Sequence, residues 1–413
     1  MICELTSQEF DKYAINHQLA NYYQSSYYAN LINKFGYETK YIGYKNKHGE
    51  ITAATLLLIK KIKKIFKYAY APKGFLINYN NEKLLNDFTK ALKKYAKEQK
   101  IIFIKLNPEI PIYRYNVEYK KRKLSNYELI EKIEKAGYVH LRNNLYFESL
   151  QPRFNAILDL KNYTVKNFNK TNRNKIRNAN RKGLEIEVVE NESNIKDLYQ
   201  FIALKKKRRT IQYYKNYFSI FNKDNFADIF LVKINYEKYL ENSKNALEKE
   251  EEINQKLTQR LFKKNSIENI KRKMDSDRKL QSYRNDVINA TYNINRDPNK
   301  YIAGALVIKY LNRIHIVISG FNEIYGSLNP NYFLHNEIFK YYKDNYDYVD
   351  LNGITGDFSD SNPYKGLNQF KLGFNPYIYE LIGEFDLVVN QKLYEILLAT
   401  NLLQKEFKDF KKD

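Results

Sequence analysis

Strand-like runs alternating with stretches whose apolar residues recur every three or four positions predict an α/β (α+β) chain of two similar units, with a helical hairpin inserted into the second. Three observations carry this prediction. The same strand, helix, strand plan appears in the first 150 residues and again after them. The 413 residues exceed the roughly 250 to 300 that a single core supports. Residues 236–292 hold no proline or glycine and are dominated by Glu, Lys, Asn, Leu and Ile, so helix interrupts the second unit.

Taken in order, residues 7–35 place Phe10, Tyr13, Ala14, Tyr28, Leu31 and Ile32 at helical spacing. Residues 37–44 and 51–59, joined by the turn Asn46-Lys47-His48-Gly49, read as a β-hairpin. A short strand at 67–75 runs into a loop, 84–97 is an amphipathic helix, 101–106 a buried strand ending at Asn107-Pro108, and 127–137 a further helix. The second unit begins with an apolar strand at 152–160. A very basic helix at 166–182 is stopped by Gly183, a strand follows at 184–189, helices at 195–208 and 213–221, and a strand at 229–234. In the insertion, Leu247, Ile253, Leu257 and Leu261 on one side and Ile267, Ile270, Met274, Leu280, Tyr283 and Val287 on the other approximate a heptad stripe broken near Asp275 and Asp277. An antiparallel coiled-coil arm turning at Asn265-Ser266 follows from it. Strands at 302–309 and 313–320, a helix at 332–345, a strand at 347–352 and an amphipathic tail at 391–411 complete the chain. The expected units are 1–150, 151–235 with 293–390, the arm at 236–292 and a C-terminal helix at 391–413. This mixed order suggests an α/β sandwich, the shape of acetyltransferase-like (GNAT) domains, and its return after residue 150 gives two such subdomains as a hypothesis.

Composition excludes several classes. A hydrophobic fraction of 43%, with 39 tyrosines and 24 phenylalanines, is too high for disorder. The single cysteine, Cys3, excludes a disulfide framework and a cysteine-ligated metal. No basic region followed by an apolar core marks export, and the most apolar run, 51–59, is too short to span a bilayer. A cytoplasmic protein with peripheral membrane contact at most is expected. A net charge of +23 predicts an anionic partner, whether nucleic acid, nucleotide phosphate or membrane face, although lysine-rich codon usage produces the same total. Clustering at 60–64, 120–123, 173–182 and 205–209 concentrates the charge.

The common catalytic signatures are missing. There is no Gly-x-x-x-x-Gly-Lys loop, no Gly-x-Ser-x-Gly elbow and no metal-ligand spacing among the five histidines. The basic helix lacks the glycine-rich start that would cradle coenzyme A, so the acyl group is expected on another carrier. The stretch Asn368-Gln-Phe-Lys-Leu-Gly-Phe374 sets Lys371 between Phe370 and Leu372. Packing of its methylenes there would hold the ammonium where it can stabilise a negative charge of the transition state. The plainer reading is a surface lysine in a lysine-rich protein.

Gly36-Tyr-Glu-Thr39, Tyr68-Ala-Tyr-Ala-Pro-Lys-Gly74, Leu158-Asp-Leu160, Asn331-Tyr-Phe-Leu-His-Asn-Glu337, Asp350-Leu-Asn-Gly353, Phe370-Lys-x-Gly-Phe-Asn375 and Ile382-Gly-Glu-Phe385 occur in an order that resembles the Fem family of peptidoglycan-bridge aminoacyltransferases over nearly the whole chain. The resemblance implies that an amino acid, glycine before alanine or serine, passes from an aminoacyl-tRNA to a side-chain amine of a lipid-linked muropeptide precursor, with no cofactor and no metal. It implies that Lys371, flanked by Phe370 and Gly373, stabilises the oxyanion, and that Arg209 and Tyr213 contact the muropeptide diphosphate. Lys175 and Arg177 on the basic helix would steer tRNA phosphates. The chain departs from the family pattern at Asn30, at Asn107 and near Ile318. Two other readings are transfer from tRNA to a protein amino terminus and non-catalytic RNA binding through the basic helices.

Overall fold

The fold is taken from a computed structural model, which describes residues 1–63, 65–148, 150–203, 209–295, 300–400 and 402–403. A short strand, β1 (Ile2–Glu4), precedes two helices, α1 (Ser7–Ile15) and α2 (Ser26–Asn33), where one long helix was expected. Each has its own start signal. Thr6 and Glu9 form a reciprocal capping box, and the Ser25 hydroxyl accepts the Tyr28 amide, so the chain breaks and restarts through a 3-10 turn at Tyr22–Gln24. The expected hairpin is β2 (Glu38–Lys45) with β3 (Ile51–Ile62), Glu38 lying opposite Ile59. Then come β4 (Phe66–Ala71), β5 (Leu76–Ile77), α3 (Glu82–Glu98), β6 (Ile101–Leu106), β7 (Pro111–Tyr115), β8 (Lys121–Lys123), α4 (Leu129–Lys135) and β9 (Val139–His140).

The second half supplies β10 (Phe154–Asp159), α5 (Lys170–Arg181), β11 (Leu184–Val189), α6 (Ile195–Ile202), α7 (Ile211–Asn222) and β12 (Ala227–Ile234). Residues 204–208, the end of the helix expected at 195–208, lie outside the described residues. The arm is α8 (Tyr236–Lys263) and α9 (Ile267–Asn293), followed by β13 (Tyr301–Tyr310), β14 (Arg313–Phe321), α10 (Pro330–Tyr342), β15 (Tyr348–Ile354), α11 (Lys365–Leu372), β16 (Tyr377–Leu381), β17 (Phe385–Val388) and α12 (Gln391–Ala399). Residues 404–413 of the expected tail also lie outside the described residues.

Two sheets result, ordered β1-β2-β3-β4-β6-β17-β9, with β5 on β3, and β11-β12-β13-β14-β15-β10-β16-β7-β8. They do not divide at residue 150 as the sequence suggested. Strands β7 and β8 extend the second sheet and β17 completes the first. Burial explains the exchange: β17 is buried along its whole length beside β6. Glu380 on β16 accepts hydrogen bonds from Tyr115 of β7 at 2.5 Å and Arg153 at 2.6 Å. Carboxylate and guanidinium compensate each other within the second half, and the Tyr115 hydroxyl ties β7 from the first half to that buried pair. One apolar cluster runs from Leu56 and Tyr68 of the first sheet through Tyr22 and Tyr28 to Phe221 of α7 and Ile308 of the second sheet.

The arm departs from its expected apolar stripe. Leu280 and Ala290 are buried, but Ile253, Ile270 and Met274 are exposed, and mid-arm the Ser276 hydroxyl donates to Glu250 at 2.7 Å while Asn254 donates to Asp277 at 2.8 Å. Serine and acidic residues occupy the inward positions there, so hydrogen bonds replace apolar packing along part of the seam. At its base, Asp286 accepts from Arg181 at 2.6 Å and Tyr239 at 2.7 Å, rooting the arm on α5.

Gly183 sits at that root with a φ of +69°, and a Cβ there would lie 2.4 Å from the Asn235 carbonyl oxygen. Gly183→Ala is expected to destabilise the protein by about 3 kcal/mol, from left-handed strain plus the clash with backbone. Thermal denaturation of the variant checks this.

Candidate active site

Strands β14 and β15 run parallel for three residue pairs, ending at His315 opposite Asp350. Beyond that point β14 continues with β13 and β15 with β10, so the two strands part. The notch between them is a small cleft, bounded on the other side by Tyr22, Tyr23, Lys73 and Glu109 of the first half. Both halves therefore contribute to its walls.

The cleft is charged. Arg313 donates to Glu109, and His315 Nδ1 lies 3.5 Å from Asp350 Oδ2. Burial alone would raise the Asp350 pKa, but His315 and Arg313 outweigh it and leave the carboxyl below its ordinary range. Lys73 is only 5% exposed. Burial lowers its pKa, with Glu109 and Asp350 offsetting part of the effect. Its loop is held by Asn107, whose Oδ1 accepts from the Lys73 amide at 2.9 Å and the Tyr70 hydroxyl at 3.0 Å. The ring of Tyr22 meets His315 at 4.8 Å.

A pH dependence follows from Asp350. Its depressed folded pKa contributes stability that is complete above the unfolded value of 3.8 and is lost as pH falls through the folded value. Acid titration of stability in Asp350→Asn is expected to lack that loss.

Lys371 occupies the last turn of α11 and donates from Nζ to the Gly353 carbonyl at 2.7 Å. Gly353 directly follows Asn352, which lines the cleft, whereas Gly353 and the half-buried Lys371 are outside that lining. The packing differs from expectation. On a helix successive side chains point about 100° apart, so Phe370 and Leu372 fix the helix rather than the lysine stem. Phe370 packs edge-on against Tyr332 and His335, each at 4.9 Å, and against Phe374 at 5.3 Å.

Gly373 accepts the Asn169 amide at 2.9 Å, and a Cβ on it would lie 2.4 Å from Asn172 Oδ1. Its visible role is the close approach of α5 to α11. Lys175 donates to the Tyr332 hydroxyl at 2.8 Å and lies 4.1 Å over that ring, which places it in the same group as Phe370. Arg177 is exposed on α5, apart from these contacts. Arg209 covers the ring of buried Tyr213 at 4.4 Å. Ring contacts then lead from Tyr213 through Tyr217, Phe221 and Tyr22 to His315. Along β12, Leu231 joins the core under α6 and α7, whereas Phe230 and Val232 join the core under α5 and α10. The elements bearing Arg209 and Lys371 thus lie on opposite faces of the second sheet.

Residues 5–402 match the family described as FemAB. The chain belongs to the FemAB family. Among curated relatives, the Lipid II:glycine glycyltransferase of Staphylococcus epidermidis (strain ATCC 35984) is 25% identical over 417 residues, spanning 95% of this chain and 94% of that protein. The enzyme of the same name from Staphylococcus haemolyticus (strain JCSC1435) is 26% identical over 413 residues with the same shares covered. The crystal structure of FemX superposes with a TM-score of 0.74 at 21% identity, covering 96% of this chain and 99% of that one, so the fold is shared. This FemAB protein is a transferase, with the mixed α/β architecture its sequence predicted arranged as two sheets. Among the described residues no helix is long and apolar enough to cross a membrane.

Of the three departures noted in the sequence, Asn107 is the buried organiser of the Lys73 loop, Asn30 is exposed on α2, and Ile318 is partly buried against the core shared by the halves. Sequence reasoning did not single out Tyr22, Glu109, Arg313 or His315. Lys73 and Asp350 lay inside recognised motifs without a role. The available signal was a histidine between two buried isoleucines, Ile314 and Ile316, of a strand.

Proposed function

We propose that this FemAB protein transfers an amino acid, glycine first, from an aminoacyl-tRNA to the side-chain amine of a lipid-linked peptidoglycan precursor at the inner membrane face, building the interpeptide bridge. The observation that carries the reading is the likeness to lipid II:glycine glycyltransferases, which extends through both halves and the arm. The cleft supports it, because a donor and an acceptor must meet in one groove and both halves contribute walls to this one, with Lys73 and Glu109 from the first facing His315 and Asp350 from the second.

In this reading the acceptor nitrogen attacks the ester carbonyl carbon and a C–N bond forms. The resulting oxyanion takes the Lys371 ammonium, which exchanges the Gly353 carbonyl for the developing charge. The C–O bond to the ribose then breaks. The proton shed by the amine ends on the ribose oxygen, and His315, held beside Asp350, is the ring in the cleft able to carry it. Arg209 and Tyr213 would hold the acceptor's diphosphate, where the planar guanidinium fork suits phosphate. Lys175 would guide the tRNA backbone.

Mass spectrometry of the lipid-linked precursor after incubation with a mixed aminoacyl-tRNA pool tests the proposal. Glycine added to the stem-peptide amine is expected, and none with uncharged tRNA. Modification of a peptide's amino terminus instead would favour aminoacyl-tRNA–protein transfer, and RNA binding without any transfer would overturn the enzymatic reading of this cleft.

A further inference from the structure

The distal end of the arm has a character its base lacks. Residues 256–273 carry seven Lys and Arg against one acidic residue, Glu268, whereas the remainder of α8 and α9 carries nine acidic residues against six basic ones. Glu268 is already paired with Arg272, and Lys273 with Asp277. Lys256, Arg260, Lys263, Lys264 and Lys271 are exposed.

Within this basic cap stand two large apolar side chains on either side of the turn, Phe262 at 88% exposure and Ile267 at 87%. The turn that presents them is ordered by its own hydrogen bonds. The Ser266 hydroxyl accepts the Asn269 amide, Asn269 Nδ2 donates to the Lys264 carbonyl at 2.8 Å, and the Lys264 amide closes the last turn of α8 on Arg260. At 1.5 Å per residue α8 is about 42 Å long, and the arm is held to α5 at its base by Arg181 on Asp286, so the turn lies at the end of α8 away from that root.

The geometry points to the arm tip as a docking point for an anionic lipid bilayer. Phe262 and Ile267 enter the boundary between headgroups and acyl chains, and the surrounding lysines and arginines meet the lipid phosphates. An RNA backbone would engage the same cations but would leave Ile267 without an apolar partner, which favours the bilayer. The proposal goes beyond the transfer reaction and does not depend on it.

Flotation of the full chain with vesicles of phosphatidylcholine plus phosphatidylglycerol, against phosphatidylcholine alone, tests it. Binding is expected only to the anionic vesicles, and Phe262→Ser combined with Ile267→Ser should weaken it about tenfold, since two exposed side chains supply the apolar contact. Binding of unfractionated tRNA by the same variant should match wild type, and an unchanged circular dichroism spectrum would show the fold intact. Equal flotation of variant and wild type, binding that ignores lipid charge, or loss of tRNA binding with vesicle binding retained would each overturn the proposal. Neither readout uses aminoacyl transfer, so its failure and that of the catalytic reading are separable.

Discussion

Replacing Lys371 with alanine is expected to slow aminoacyl transfer by about a hundredfold or more while tRNA binding stays at wild-type strength, the scale for losing one donor aimed at a transition-state oxyanion. The ammonium is half-buried at the end of α11 and held at 2.7 Å from the Gly353 carbonyl, a neutral acceptor that a full negative charge would displace. Substrate need not touch Lys371 before the tetrahedral intermediate forms, so the loss should fall on kcat more than on KM. Single-turnover transfer from purified aminoacyl-tRNA, beside filter binding of the same tRNA, reads both quantities. Lys371→Arg keeps the charge but changes its reach and should recover part of the rate. Wild-type turnover in Lys371→Ala would remove this lysine from the chemistry.

Phe374→Ala should destabilise the protein by about 3 to 5 kcal/mol, the range for truncating a fully buried aromatic residue. Phe374 has no exposed surface and meets Phe339 at 5.2 Å, Phe168 at 5.3 Å and Phe370 at 5.3 Å, all nearly edge-on, with His335 stacked at 5.9 Å. No neighbour can fill the space without leaving its own ring contacts. The ring also pins the end of α11, so any surviving transfer should fall with stability, and Phe374→Leu should lie between the variant and wild type. Urea denaturation gives the first quantity, and a midpoint near wild type would show that the cluster relaxes into the hole.

The legible part of the fold was local. The hairpin of β2 and β3, the amphipathic α3, the basic α5 stopped at Gly183 and the long uninterrupted arm all announce themselves through periodicity, caps and turn residues that lie within a few positions of one another. The order of short motifs was enough to indicate the family. Misreadings occurred where neighbours in space outweighed neighbours in sequence. The break between α1 and α2 was signalled by Thr6 and Ser25, but the helical spacing of tyrosines across the gap concealed it. The arm's seam was read as apolar although Glu250, Ser276 and Asp286 are buried in it beside Leu280 and Ala290.

The candidate site divides the same way. Lys371, Phe370 and Gly373 are contiguous, and a segment of that composition invites attention by itself. Their partners are not contiguous: Tyr332 joins Lys175 to Phe370, and Asn172 explains Gly373. The sequence alone indicated mixed strands and helices and a long helical arm, and drew attention to Lys371, because side-chain period and local hydrogen bonding are written along the chain. Only the tertiary structure decided that β7, β8 and β17 exchange between sheets, that β14 and β15 part after His315 and Asp350, and that Lys73 and Glu109 close the opening. Those are pairings between residues tens to hundreds of positions apart. Burial and charge compensation select them among many strand orders that the same local patterns would permit.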